Sequence, residues 1–244
     1  MKALQAVFFD LDQTLLDGSG SREAIRRTCT NIAASRSALS AAQLLEANTE
    51  VWQRYWPEVE NKWTLGALDG RAMSLEAWRR TLRACGCDDE SLALHARDMH
   101  WRNGREALRL FDDARELLTL LRDRVVCALI TNGASDTQRE ALRALGIEDY
   151  FGAVVISGEL GAAKPDASVF RVALDKLGVE PEAVWHVGDS LMTDVAGATA
   201  ANLTAVWLNR GGVPRRECDP RPDYEIRSLA ELAPLLSATG MAET

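Results

Sequence analysis

The stretch "VFFDLDQTLLD", Val7 to Asp17, decides the fold. The run Ala6–Phe9 is apolar at every position, as in a strand buried on both faces. It ends on two carboxylates, Asp10 and Asp12, two residues apart. Charge at the end of a buried strand costs free energy unless something compensates it. The rest of the chain supplies the compensation.

Beyond about residue 105 the same grammar recurs. "VVCALI" (125–130), "GAVVIS" (152–157), "AVWHVG" (183–188) and "LTAVWL" (203–208) are short apolar runs. Between them lie the helical patterns "FDDARELLTLLRD", "SDTQREALRALG", "DASVFRVALDKLG" and "SLMTDVAGATAA", and "PDYEI" and "SLAELAPLL" close the chain. Strands apolar on both faces that alternate with helices predict an α/β fold, a Rossmann-like parallel sheet flanked by helices. Residues 18–105 carry helical signals only. The expected organisation is a core of residues 1–17 and 106–244 with an all-helical cap, 18–105, inserted after the first strand. Ser40 with Gln43 and Ser135 with Gln138 have capping-box spacing, Ser74 is a candidate cap, and Gly86 and Gly146 are candidate stops.

Composition narrows the function. Of 244 residues, 47% are hydrophobic, which fits a globular chain, and the net charge of −8 argues against a nucleic-acid surface. The N-terminal apolar run is too short for a signal peptide. The longest uncharged run, 195–209, falls short of the ~20 residues of a membrane span. The five cysteines, Cys29, Cys85, Cys87, Cys127 and Cys218, lack metal or redox spacing and predict reduced thiols. The expectation is a cytoplasmic protein, monomer or homodimer, without nucleic-acid or membrane partners.

Ligands of open parallel sheets bind beyond the carboxyl ends of the strands. Four polar clusters fall there: Asp10/Asp12, Thr131-Asn132-Gly133, Lys164-Pro165-Asp166, and Gly188-Asp189-Ser190 with Asp194. Several carboxylates gathered together need a cation between them, and oxygen donors suit Mg2+. A cation, a lysine, a hydroxyl and loop N–H groups make a phosphate site. One aspartate there can attack phosphorus, and its neighbour can protonate the departing oxygen.

These motifs resemble those of the haloacid dehalogenase-like hydrolase superfamily, in the phosphatase branch whose helical cap follows the first motif. "FFDLDQTLLD" is similar to D-x-D-x-T, "LITNG" to the second motif, "GELGAAKPDASVF" to the lysine motif, and "VGDSLMTDVAGA" to G-D-x-x-x-x-D. The resemblance implies a Mg2+-dependent phosphatase working through an aspartyl-phosphate on a small phosphorylated metabolite. Asp10 would be nucleophile and metal ligand. Asp12 would be general acid/base and offer its carbonyl to the metal. Thr131, Asn132 and Lys164 would bind phosphate, Asp189 would ligate the metal, and Asp194 would either ligate it or anchor the site from behind. Gln13 stands where the family usually has Gly or Asn. Asp12 argues against a dehalogenase, whose halide leaves without a proton, and Thr14 against the phosphomutases. A phosphate-binding protein without turnover is the remaining alternative.

Other polar and aromatic residues have plainer uses. His95 and His100 are expected at the cap surface or in its packing, and His186 as a packed strand residue. Trp52 and Trp56 are expected to stack on one helix face. Arg71 is a candidate for contacting substrate.

Overall fold

The structure, a computed structural model, describes residues 3–238. In chain order the elements are β1 (Ala6–Phe9), β2 (Leu16–Asp17), α1 (Gly20–Ser35), α2 (Ala41–Thr64), α3 (Gly70–Ala84), α4 (Glu90–Ala107), β3 (Arg109–Leu110), α5 (Asp112–Leu121), β4 (Val126–Thr131) and α6 (Ser135–Leu145). They continue with β5 (Ala153–Ile156), α7 (Ser157–Leu160), α8 (Ala167–Leu177), β6 (Val184–Gly188), a π-helical turn (Leu191–Val195), α9 (Ala196–Ala200), β7 (Thr204–Leu208), β8 (Tyr224–Ile226) and α10 (Leu232–Ala238). The chain forms two compact units. One comprises residues up to Asp17, Leu110–Asn132 and the part from Gly146 onward; the other comprises Gly18–Arg109 and Gly133–Leu145.

The first unit is a six-stranded sheet in the order β5-β4-β1-β6-β7-β8. Every pairing is parallel. β1 and β6 are buried at each position, as strands covered on both faces must be. On one face Phe8, Ile130, Val155, Phe170, Leu174 and Trp207 build a continuous core. α8 joins it by its apolar stripe. Asp166 caps its start by accepting from Ser168 N–H at 2.8 Å, and Gly178, at φ 64°, ends it. The strand order reverses at β1: the chain moves outward through β4 and β5, then returns to β6 on the other side. A crevice at the carboxyl end of β1 follows from that reversal.

The second unit is all helical. Cys29, Ile32, Leu44, Trp78, Leu82, Leu92 and Met99 form its core. Two buried polar pairs join helices: Asn103 Nδ2 donates to Thr28 Oγ1 at 2.9 Å, and Asn48 Nδ2 to Thr81 Oγ1 at 3.0 Å. α6 belongs to this unit because Asp136 accepts from the Gly70 and Arg71 N–H groups at 2.8 and 3.1 Å. A carboxylate there satisfies orphan donors at the positive end of α3.

Several local expectations are corrected. Ser40 makes no side-chain cap bond. α3 begins four residues before Ser74, capped by Asp69, which accepts from Ala72 N–H at 2.6 Å. Ser74 is buried inside that helix. Trp52 and Trp56 share one face of α2, as expected, and pack against one small cluster; Trp52 meets Tyr55, and Trp56 meets Trp63 edge-on at 5.5 Å. "SLMTDVAGATAA" forms a π turn followed by a short helix rather than one helix. All five cysteines are free, and no helix among the described residues is long and apolar enough to cross a membrane.

His100 packs edge-on against Trp78, whose Nε1–H donates to His100 Nδ1 at 3.1 Å. Burial lowers the imidazole pKa to about 4. The unfolded chain, with a value near 6.5, therefore binds the proton more readily. His100 contributes stability that is full above pH ~6.5 and is lost as pH falls toward 4, up to about 3 kcal/mol. Urea midpoints measured from pH 7 to pH 4 should fall, and His100→Gln should flatten the slope.

Candidate active site

The register of three adjacent strands builds the site. Phe9 lies opposite Leu129 on β4 and Val187 on β6. Adjacent strands are ~4.8 Å apart, so Asp10 falls level with Ile130 and Gly188, and Thr131 and Asp189 lie one residue further along their strands. Asp10 N–H donates to Val187 O at 3.0 Å, extending the ladder one residue past β1. The Asp10 side chain is buried.

Lys164 enters from the loop between α7 and α8 and is itself buried. Its Nζ donates to Asp10 Oδ1 at 2.6 Å, Asp194 Oδ1 at 2.6 Å and Ile130 O at 2.8 Å. An ammonium has three N–H donors, and all three are matched. Asn132 braces the lysine backbone, donating from Nδ2 to Lys164 O at 3.0 Å and accepting from Lys164 N–H at 2.9 Å. The Lys164–Pro165 peptide is cis.

Asp194 is held from three directions. Besides Lys164, His186 Nε2 lies 3.1 Å from Asp194 Oδ1, and Ser190 N–H donates to Oδ2 at 3.0 Å. The π turn directs Asp194 inward: Val195 N–H reaches Ser190 O, five residues back. Gly188 allows this approach, since a Cβ there would stand 2.2 Å from Asp194 Cγ. Asp189 is fixed through its backbone, its carbonyl accepting from Trp207 Nε1 at 2.9 Å.

Electrostatics follow from burial and from one lysine shared between two acids. Burial raises the Asp10 carboxyl to about 8 against the pull of Lys164. Burial and the nearby Asp194 charge raise Asp189 to about 6. Burial also opposes ionisation of Asp194, but Lys164 and His186 outweigh it and hold that carboxyl below the usual range. Lys164 is kept charged: burial would lower its pKa, yet Asp10 and Asp194 more than offset the loss. Among the described residues, carboxylate oxygens of Asp10, Asp189 and Asp194 lie within 4.8 Å of one another. Three oxygen donors with one ammonium among them leave negative charge uncompensated. Such a set fits a hard divalent cation such as Mg2+.

Asp10, Lys164, Asp189 and Asp194 thus converge. Thr131 ends β4 beside them, buried, with no hydrogen-bond partner for its hydroxyl. Asp12 is exposed, and its charge is felt at both Asp10 and Asp189. The Asn132 side chain is engaged by the Lys164 backbone. Arg71 lies over the Trp101 ring at 4.7 Å, within the helical unit. The packing expected of His186 is present, edge-on to Phe170 at 4.9 Å, but its bond to Asp194 was not expected. Gln13 has φ 62°, a left-handed backbone that Gly or Asn adopts more readily than Gln.

The description "haloacid dehalogenase-like hydrolase" matches residues 4–202. The chain belongs to the haloacid dehalogenase-like hydrolase family. Within it, the chain is 33% identical over 241 residues to mouse (Mus musculus) N-acylneuraminate-9-phosphatase, covering 98% of this chain and 96% of that protein. It is 32% identical over 234 residues to glyceraldehyde 3-phosphate phosphatase of Methanopyrus kandleri, covering 94% and 95%. Among solved structures of this hydrolase family, 2-haloacid dehalogenase of Pseudomonas syringae superposes with a TM-score of 0.70 at 27% identity, covering 96% of this chain and 99% of that one.

Proposed function

We propose that the protein is a Mg2+-dependent phosphomonoester hydrolase acting on a small phosphorylated metabolite. The observation that carries this reading is the buried Asp10–Lys164–Asp194 cluster, with Asp189 adjoining it and the unpartnered Thr131 hydroxyl beside it. Asp10 attacks phosphorus and forms an aspartyl-phosphate, while Asp12 gives its proton to the departing oxygen. Asp12 then takes a proton from the water that attacks the aspartyl-phosphate, releasing phosphate and restoring Asp10. The Thr131 hydroxyl and the Asn132 backbone N–H donate to phosphoryl oxygens. Lys164, its three N–H bonds engaged, fixes Asp10 and contributes charge. The Asp10 and Asp189 carboxylates and the Asp12 carbonyl would hold Mg2+, with Asp194 at its edge. When bound, the ion supplies positive charge for the transferring group.

Two phosphatases among the relatives support phosphate esters as the substrate class. The resemblance to a dehalogenase structure raises a second possibility, and Asp12 speaks against it, since halide needs no proton donor. Hydrolysis of p-nitrophenyl phosphate tests the proposal: turnover should require Mg2+, vanish in EDTA and return on adding the metal. Asp12→Asn should lower it by about 10²-fold or more, the usual scale of acid–base catalysis. Metal-independent turnover, or release of halide from 2-haloacids, would contradict the proposal.

A further inference from the structure

We propose that the α/β unit carries its own leaving-group subsite: a cavity of about 660 Å3 beside Asp189, walled by Gln13, Met192 and Val213, that takes an uncharged, polyhydroxylated carbon chain attached to phosphate. The subsite presupposes the phosphatase activity proposed above and says which esters that activity favours.

Every lining residue of this cavity belongs to the α/β unit. Asp189 of the acidic cluster and Gln13, the neighbour of Asp12, sit in its wall, so the cavity adjoins that cluster. Its volume is within the range of small-molecule sites and well beyond what a two- or three-carbon leaving group fills.

The walls are held rigidly. Buried Asn209 donates from Nδ2 to Val213 O at 2.9 Å and to Glu225 Oε1 at 2.7 Å, and accepts from Val213 N–H at 2.9 Å. Arg210 forks onto Asp113 with two 2.9 Å bonds, donates to Thr14 O at 3.1 Å and lies over Phe111. These bonds fix Val213 in solvent, 62% exposed, and the π turn that buries Asp194 leaves Met192 59% exposed. A single exposed hydrophobic residue needs no explanation. Two held in place in one cavity, next to a cluster of acids, form a contact surface. Gln13 adds a third sign: a side chain is kept at φ 62°, where glycine would fit without strain. Its carboxamide offers both a donor and an acceptor.

Charge selects the ligand class. Arg210 is neutralised by Asp113, and Arg216 by Asp219 at 2.9 Å. Among the described lining residues both arginines are thus paired with carboxylates, and Asp17 and Asp189 also stand in the wall, a balance that disfavours a second phosphate or a carboxylate. Aliphatic surface with one carboxamide matches the alternating C–H and O–H groups of a polyol.

The test uses the full chain with Mg2+ and three probes: a hexitol phosphate, glycerol phosphate and a hexose bisphosphate. Wild type should show kcat/KM at least ten-fold higher for the hexitol phosphate than for either other probe. Met192→Ala and Val213→Ser should each raise KM for it about five-fold and leave glycerol phosphate turnover unchanged. Gln13→Gly should reduce the same preference while holding or raising the melting temperature, which a merely structural role for Gln13 would not do. Equal effects on all probes, no effect, or a preference for the bisphosphate would overturn the subsite. Calorimetry separates the two proposals. Tighter binding of the hexitol phosphate than of inorganic phosphate, lost in the Met192 and Val213 variants but without hydrolysis, supports the subsite and sinks the phosphatase. Hydrolysis of p-nitrophenyl phosphate without that excess in binding does the reverse.

Discussion

Asp10→Asn is expected to abolish turnover and at the same time raise the melting temperature of the metal-free protein. A carboxamide cannot attack phosphorus, so the loss should be about 10³-fold or more, on the scale seen when a nucleophile is removed. The gain in stability comes from electrostatics. The Asp10 pKa, ordinarily near 4, is raised to about 8 by burial, with Asp194 and Asp12 adding to it. A folded value above the unfolded one means that the acid favours folding while protonated. That contribution is complete below pH ~4 and is lost as pH rises through 8. Asn imitates the protonated acid and keeps an oxygen for the Lys164 ammonium. The gap in melting temperature should therefore open above pH ~4, reach its full size near pH 8 and amount to at least a few degrees. If Asp10 holds Mg2+ as proposed, adding the metal should reverse the sign, because a carboxamide binds the cation poorly. Thermal melts in EDTA and in Mg2+ across that pH range would decide it, and an equal melting temperature throughout would refute the electrostatic account.

The parts of this design legible in sequence were those fixed by period and by position along the chain. Strands buried on both faces are apolar at nearly every residue, and β1, β4, β6 and β7 stood out for that reason. Asp10 and Asp189 directly follow strands, the place where open parallel sheets gather polar groups, whereas Lys164 comes after α7 and Asp194 sits in the π turn. Helix starts were less legible. Asp69 caps α3, but Asp and Ser cap helices about equally well, and a buried serine inside a helix cannot be told from a capping serine without knowing which face is covered. His186 shows a different limit. A histidine in an apolar strand looks like packing, and it does pack on Phe170; its bond to Asp194 depends on a π turn that no periodicity announces. The grouping of α6 with the helical unit had no local signal either. It rests on Asp136 meeting the N-terminus of a helix 65 residues earlier. The Asn209 and Arg210 braces are likewise tertiary, since each joins segments far apart in sequence.

Lys164→Met should have the opposite effect on stability. The lysine is buried and satisfies Asp10, Asp194 and the Ile130 carbonyl at once. Methionine fills nearly the same volume, so packing is preserved and the change is almost purely one of charge. Breaking a buried ion pair from one side typically costs 3–5 kcal/mol, which in a chain of this size corresponds to about 10 °C in melting temperature. The loss should shrink at acid pH: without the ammonium that holds Asp194 ionised, its buried carboxyl takes up a proton more readily, and once protonated it needs no counter-charge. Turnover should fall with it, since Asp10 would be neither fixed nor offset. The pairing of Lys164→Met with Asp194→Asn tells charge from shape. If the cluster is held by charge balance, the double variant regains much of the lost stability, because one ammonium and one carboxylate leave together, and the coupling between the two sites exceeds 1 kcal/mol. Activity should not return in the double variant, because the remaining Asp10 still lacks its cationic partner. Additive losses, with no recovery, would mean that Lys164 acts by packing and that Asp10, Asp194 and Lys164 are not one electrostatic unit.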